Sequence, residues 1–526
     1  MSFSNKQDEE HETVAPPQPM EKCPHERRVE VLAGHLAAHA TAAAAAAAAA
    51  VDPGGSLPLP PVVALREGVF FPTFAHMLED AAAATAQNGG LFTYEIFGGR
   101  RITIVADPSL YEVVFDVGKY AGNEEVGDAV AMEMDKIAYA WFGIPRECGP
   151  HTRDGLNAVR KIFSQSSTGG HLNDRVAAQL AAALAAMPDA GETDLFDLGA
   201  ATFFPVNAEL FGPETISPAR CPHARQLFEQ FDADLPAITG GMPKSAEHVA
   251  AGEEITALFT DAIRRGVHQQ PPQEEGGSDG GGSVEGAVMR ARVGVLPEGF
   301  PDATKGRFML SIFWAAQANT LPMTFWMLAE VIRSPRILAK VREEVLEGPF
   351  AAMPDAAGHY DVGVGTLPYV RACLKETLRM KVAILTHRKL SRDCTITTAA
   401  GARFRMLEGD MISVASYLRH YDEALYPQPH EFRPERWLEP GCKSPLDSMG
   451  DDYWYPFSKG RYSCSGKFLA MLEIPTLLAL LVREFETLEL HPDTPMPEGN
   501  WDQVLAAVLP IGSCTVRFAR GKSAQA

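Results

Sequence analysis

The sequence predicts a mostly α-helical protein with small β-sheets, gathered around one large core. Three observations carry this. Capping residues recur ahead of helix-forming stretches, at Asp107-Pro108, Asp174 and Ser334-Pro335. Phe308 to Ala329 has no charged residue and is far longer than a strand, so it reads as a helix buried on all sides. Runs rich in β-formers are few and short; Leu91–Phe97 and Arg100–Ala106 flank Gly98-Gly99, a hairpin pattern.

Composition narrows the functional classes. The 526 residues are 46% hydrophobic and 22% charged, ordinary for a globular protein. A formal net charge of −20 argues against nucleic acid as a partner. Eight cysteines are scattered without any C-x-x-C spacing, which fits a reducing compartment and neither a zinc site nor a disulfide framework.

In chain order, residues 1–56 read as a polar, low-complexity segment with the alanine tract Ala42–Ala50 and no secretory signal. Leu32–Val51 is long enough to span a bilayer, yet alanine is weakly apolar, so a weak membrane anchor and a low-complexity helix both stay open. The stretch Leu57–Pro61 forms a stiff hinge before the folded domain, residues 57–520. Asp107-Pro108 opens a helix over Ser109–Val117, and Asp174 opens one over Arg175–Met187. Residues 269–286, rich in Gly, Pro, Gln and Glu, read as a flexible insertion inside the domain. In Phe308–Ala329, the polar residues Gln317, Asn319, Thr320 and Thr324 favour a protein core over lipid, and Pro322 should kink the helix. Ser334-Pro335 then starts a new, charged helix.

The chemistry concentrates at Phe457-Ser-Lys-Gly-Arg-Tyr-Ser-Cys-Ser-Gly466, followed at once by the helix-like Lys467–Leu481. Cys464 should stand at the N-terminal end of that helix, where unpaired N–H groups and the helix dipole favour thiolate over thiol. A thiolate so held suits a soft metal or a haem iron; the competing reading is a small buried hydrophobe. Gly460 can take a positive φ, and Gly466 lets a flat ligand approach the backbone.

The spacing Phe457-x-x-Gly460-x-x-x-Cys464-x-Gly466 resembles the haem-binding loop of the cytochrome P450 superfamily. That resemblance implies a cytochrome P450-like fold with a long, kinked central helix over a haem b, and Cys464 as the axial ligand of the haem iron. Phe457, Gly460, Arg461 and Gly466 would complete the loop. The family usually has Arg two residues before the cysteine to pair with a haem propionate; here Tyr462 stands there and Arg461 is one place off. Arg388, in Thr386-His-Arg388, stands where the family places another propionate partner, with His387 as a polar neighbour or propionate donor and Val382–Leu385 lining the pocket.

Two upstream patterns match the same family. Glu376 and Arg379, three apart, share a helix face, and Phe432-Arg-Pro-Glu-Arg-Trp437 follows them; the resemblance makes Glu376, Arg379 and Arg436 a structural lock behind the haem. Trp314-Ala-Ala-Gln-Ala-Asn-Thr-Leu-Pro322 aligns with the oxygen-binding segment, where most members have an acid before Thr. Here Ala318-Asn319 precedes Thr320, so no carboxylate is expected for proton relay and Asn319 would donate to and accept from oxygen or water. This segment resembles the subgroup of cholesterol and oxysterol 7α-hydroxylases, sterol 12α-hydroxylase and prostacyclin synthase.

The expected function is a haem-thiolate monooxygenase. Asn319 and Thr320 would serve oxygen chemistry on an apolar substrate, a sterol or oxidised lipid, with O2 and electrons from an NADPH-dependent flavin reductase. Lys459, Arg461 and Lys467 read either as a basic docking patch for that partner or as ordinary solvated charge. The resemblance also implies a membrane surface, the cytosolic face of the endoplasmic reticulum, with the cytoplasm as the alternative. Two competing functions remain: a haem-thiolate isomerase or dehydratase of a lipid peroxide, and a non-catalytic haem- or sterol-binding protein.

Overall fold

In a computed structural model of the chain, the described residues lie between 57 and 521. Residues 65–73, 97–99, 116–122, 132–140, 270–285, 439–453, 461–462, 502–505 and a few shorter stretches fall outside them. The N-terminal segment 1–56, the Gly98-Gly99 turn and nearly all of the insertion 269–286 therefore lie outside the described residues.

The longer helices run in order α1 (Phe74–Asn88), α2 (Gly149–Gly169), α3 (His171–Ala185), α4 (Leu195–Phe211), α5 (Ala224–Asp232), α6 (Ala246–Arg264), α7 (Asp302–Ala318), α8 (Thr320–Ile332), α9 (Pro335–Glu347), α10 (Pro368–Lys381) and α11 (Lys467–Glu484). The strands used here are β1 (Val62–Val63), β2 (Leu91–Ile96), β3 (Arg100–Val105), β4 (Val130–Ala131), β5 (Ala190–Asp194), β6 (Leu385–Leu390), β7 (Met411–Ala415), β8 (Phe485–Leu490) and β9 (Thr515–Arg520). One mixed sheet has the order β1-β2-β3-β7-β6-β4, and a second has β8-β9-β5. The architecture is mostly helical with small sheets, as expected. Among the described residues, no helix is long and apolar enough to cross a membrane.

Local chemistry explains most boundaries. Asp107 accepts from Ser109 N at 2.9 Å and caps a short turn, Pro108–Leu110, that runs into a helix over Tyr111–Phe115. Ser334 Oγ accepts from Ile337 N at the start of α9, with Pro335 at the first position. Asp174 does not open its helix: α3 begins at His171, and the Asp174 carboxylate instead accepts from the distant Tyr360 N at 2.6 Å. Phe92 and Tyr94 of β2 pair antiparallel with Ile104 and Ile102 of β3, which bears out the hairpin partners.

The uncharged stretch departs from one kinked helix. It divides into α7 and α8 at Asn319, whose φ of −106° is well wide of the ordinary helical value of about −63°. The cause is three residues on: Pro322 has no N–H to give the carbonyl of Ala318. All of α8 from Thr320 to Ile332 is buried, as is α10 from Tyr369 to Met380. With the buried middle of α11, they form the centre of the core on which the site is built.

Candidate active site

The cysteine loop is a tight, hydrogen-bonded structure. Gly460 takes φ +73°, which glycine adopts without strain, and Ser463 N donates to its carbonyl at 3.1 Å. Cys464 N donates to Phe457 O at 2.8 Å, which closes the loop. α11 starts three residues after Cys464, with Gly466 as its cap residue. A Cβ on Gly466 would stand 3.8 Å from the Cys464 sulfur, on ground a ligand to that sulfur would use.

Burial pushes the Cys464 thiol up from its ordinary pKa, while the N–H groups of Gly466 and Lys467 and the charge of Arg160 pull it down. Yet Cys464 is exposed by surface area, whereas Cys148, Cys221, Cys373, Cys394 and Cys514 are buried. A sulfur crowded by protein but still accessible lines an internal hollow, and this separates Cys464 from the buried-hydrophobe reading.

A second accessible surface lies in the core, on α7. Phe308, Met309, Leu310, Ile312, Phe313 and Gln317 are buried. Ser311, Trp314, Ala318 and Asn319 are half-buried and Ala315 is exposed. Ala316 is half-buried on another side; the other five are related by spacings of three and four, so they form one stripe along the helix. An alanine exposed in mid-helix, between flanks this dry, marks open space inside the protein.

The break at Asn319 fixes both distal polar residues. Asn319 Oδ1 accepts from Ala507 N at 3.3 Å, which leaves its NH2 group as the donor for a ligand. Thr320 is buried, and its hydroxyl donates to Glu473 Oε1 of α11 at 3.2 Å. Burial raises the Glu473 carboxyl to about 8, with the Thr320 hydrogen bond only partly opposing it. Glu473 Oε2 is buried without a hydrogen-bond partner among the described residues. The expectation that no carboxylate serves this segment is therefore corrected: the acid comes from α11, in place of the position before Asn319. The sequence hid it, because Glu473 sits in an otherwise apolar helical run and reads as a solvated residue.

Glu376, Arg379 and Arg436 meet as the sequence predicts. Arg379 donates Nε and Nη2 to the two Glu376 oxygens at 2.9 and 2.8 Å, and Arg436 Nε reaches Oε1 at 2.9 Å. Trp437 Nε1 and Arg433 N add 2.9 and 3.1 Å bonds to the same carboxylate. Burial pushes Glu376 up, but Arg379 and Arg436 outweigh it and hold the carboxylate below its usual range. The charges are thus fully paired at no solvent exposure for Glu376 and Arg379.

His420, which no local pattern singled out, connects this cluster to the cysteine loop. Its carbonyl accepts from Arg379 Nη1 at 2.8 Å, and its ring Nε2 accepts from Tyr455 N at 3.0 Å. Burial and the neighbouring Arg379 lower the ring to about 3, so it is neutral, as an acceptor must be. Trp437, Trp454 and Phe457 continue the connection edge to face, with centroids 6.0 Å apart at each step.

Arg388 lies on the buried face of β6 with Thr386. It donates to His387 O at 2.8 Å, and Thr386 Oγ1 lies 3.4 Å from Ser458 Oγ in the cysteine loop. His387 faces the other way and pairs with Ser413 Oγ at 2.5 Å, as a polar neighbour. Val382 and Ala383 are buried, and Ile384 and Leu385 half-buried, before this strand. Arg461 and Tyr462 lie outside the described residues. Arg160 of α2, which the sequence reading missed, hydrogen-bonds the carbonyl of Ser463 beside the cysteine. An arginine so distant in the chain carries no spacing signal. Lys459 lies 5.9 Å from the Tyr455 ring.

A haem fits these residues. The donor set is one accessible thiol at a helix start, with a buried arginine on the strand beside its loop and an accessible, mainly apolar stripe on α7. A family profile, Cytochrome P450, matches residues 291–514, which include every one of these features except Arg160. A human 7-alpha-hydroxycholest-4-en-3-one 12-alpha-hydroxylase is 29% identical over 209 residues, 38% of this chain and 42% of that protein. Thus the match spans less than half the length of the human relative. A pig 5-beta-cholestane-3-alpha,7-alpha-diol 12-alpha-hydroxylase is 25% identical over 459 residues, 80% of this chain and 84% of that one. Among solved structures, a retinoic acid-bound cyanobacterial CYP120A1 covers 89% of this chain and 100% of its own at a TM-score of 0.64 and 18% identity, which speaks to the fold. From loop, lock, broken central helix and these likenesses together, residues 291–514 form a Cytochrome P450 domain, a family whose prosthetic group is haem b.

Proposed function

We propose that this protein is a haem-thiolate monooxygenase that hydroxylates a sterol-sized apolar substrate, using O2 and electrons from an NADPH-dependent flavin reductase. The observation that carries this is the accessible Cys464 sulfur at the start of α11, together with the accessible stripe of α7 that ends in Asn319. The likeness to sterol 12-alpha-hydroxylases supports the substrate class. A cytosolic site at a membrane surface belongs to the same reading.

Haem, when bound, supplies the oxidising chemistry, with one oxygen atom entering the product and the other leaving as water. Cys464 would hold the haem iron as a thiolate, a ligand that donates electron density to it. The protein's own residues do the rest. The N–H groups at the start of α11 offset part of the cost of a buried thiolate. Arg388 provides positive charge for a propionate, near a loop that Arg160 holds through Ser463. Asn319 offers an N–H donor at the end of the accessible stripe. Thr320 and Glu473 hold a proton close behind it, because a carboxyl with a pKa of about 8 is mostly protonated at neutral pH. The apolar stripe excludes water from the rest of the site.

Glu473 also bears on the lipid-peroxide isomerase reading: an acid in contact with Thr320 supports proton delivery to O2 chemistry, which an isomerase does not need. The test is spectroscopic and catalytic. Reduced, CO-bound protein should give the red-shifted Soret band of thiolate ligation, and Cys464→Ala should lose it; persistence of that band would remove Cys464 as the ligand. Product from a hydroperoxide without NADPH, and none with NADPH and O2, would establish the isomerase instead. No turnover under either supply would leave a binding protein.

A further inference from the structure

Asp232, the last residue of α5, lies outside every motif read from the sequence, yet it touches the accessible stripe of α7. Trp314 Nε1 donates to its Oδ1 at 2.6 Å. Trp314 belongs to the stripe that ends at Asn319, about 7.5 Å away along the helix at 1.5 Å per residue. Asp232 is half-buried by surface area, so the carboxyl keeps some access. Burial nevertheless raises it to about 6, with Trp314 only partly opposing. Among the described residues, Asp232 has no second hydrogen-bond partner and no cation beside it.

The surroundings are aromatic. Trp314 lies 5.4 Å from the Trp141 ring and 5.5 Å from Phe142, and Phe142 stacks on Phe231 at 5.8 Å. A carboxyl on such a wall is costly to desolvate unless something completes its hydrogen bonding. Trp314 supplies one donor, to Oδ1, and leaves Oδ2 as acceptor capacity.

We infer that Asp232 is the polar anchor of the substrate pocket, accepting a hydrogen bond from a hydroxyl at the end of an otherwise apolar substrate remote from the oxidised carbon. This rests on the proposed haem-thiolate function. The inference follows from position. A rigid apolar molecule reaching Cys464's side of the hollow past Asn319 would have its far end alongside Trp314. A site built to pair a hydroxyl also rejects the analogue that lacks one, because its own polar group is then left unpaired. Asp232 would therefore set which apolar molecules bind and which of their carbons reaches the reactive end.

A probe that does not depend on the natural substrate tests this. Imidazoles carrying straight alkyl tails of graded length, with and without a terminal hydroxyl, should bind the haem iron and shift the Soret band. At the tail length that spans the hollow, the hydroxyl should tighten binding about tenfold in the wild-type holoprotein. Asp232→Leu should abolish that gain while plain alkylimidazoles still shift the Soret band, which verifies the fold. Asp232→Asn, the fallback if the leucine variant does not fold, should reduce the gain. The inference is overturned if no tail length gains from the hydroxyl, or if the gain is undiminished in both variants or in whichever folds. Failure of every imidazole to shift the wild-type Soret band is a different result, which overturns the haem-thiolate reading itself.

Discussion

The Thr320 hydroxyl donates to Glu473 across 3.2 Å, and this contact joins the break in the central helix to the helix that begins beside Cys464. A buried acid and an alcohol in contact are the elements of a proton path, supplied here by two segments far apart in the chain. Glu473→Gln keeps an acceptor for Thr320 and removes the acidic proton. Turnover is expected to fall by about 100-fold, at the lower end of general acid–base effects. The ratio of product formed to NADPH consumed should fall with it, while the CO-bound Soret band stays unchanged. Full coupling in the glutamine variant would show that Glu473 only supports the helix.

The same carboxyl shapes stability against pH. Its folded pKa is about 8 against an ordinary value of 4.5, so the folded protein binds more protons than the unfolded chain between those limits. Stability contributed by neutral Glu473 is fully present below pH 4.5 and is lost as pH rises through 8, at up to about 1.4 kcal/mol per pH unit. Thermal melting of the wild type should therefore decline across this window more steeply than that of Glu473→Gln. Parallel melting curves for the two proteins would contradict the assignment.

What the sequence made legible was local. Cys464 is marked by glycines at fixed offsets, Glu376 and Arg379 by a helical spacing, and Arg436 by the segment around it; each joins its expected neighbours. The hairpin partners Tyr94 and Ile102 were readable for the same reason, since alternation and flanking glycines are properties of a short window. Glu473, His420, Arg160 and Asp232 were not. Each has an unremarkable local context, and its character comes from burial and from partners brought in by the fold. The central helix lies between these cases: Pro322 announced a disturbance, but its missing N–H acts on the preceding turn, so the break falls at Asn319.

Arg160 acts on the cysteine loop from outside it. Its guanidinium bonds the Ser463 carbonyl, and its charge favours the Cys464 thiolate. Arg160→Met keeps the length of the side chain and removes both effects. A hydrogen bond from a charged group contributes about 1.5–3 kcal/mol, so haem should transfer to apomyoglobin at least about tenfold faster from the variant. Glu376 remains paired in this variant, so the apoprotein should lose no more than the about 1.5–3 kcal/mol of that one bond. Unchanged haem transfer would mean that the loop holds its shape without Arg160.

The lock separates the cost of a lost charge from the cost of a lost shape. Glu376 accepts five hydrogen bonds, from Arg379 twice and from Arg436, Trp437 and the Arg433 amide. Glu376→Ala leaves two arginines in the interior without an acid, and breaking a buried pair this way costs about 3–5 kcal/mol. Glu376→Gln keeps one acceptor oxygen and the volume, but its NH2 group meets donors from Arg379 or Trp437. It should fall between wild type and alanine in denaturant unfolding. Because Arg379 also holds the His420 carbonyl, and His420 holds Tyr455 N, the alanine variant should lose haem in step with its stability. Alanine at Trp437 removes one hydrogen bond and packing yet leaves both arginines paired with Glu376, so it should retain the CO-bound Soret band of thiolate ligation. If Glu376→Ala retained that band and wild-type stability, the buried charge cluster would be dispensable to the cysteine loop.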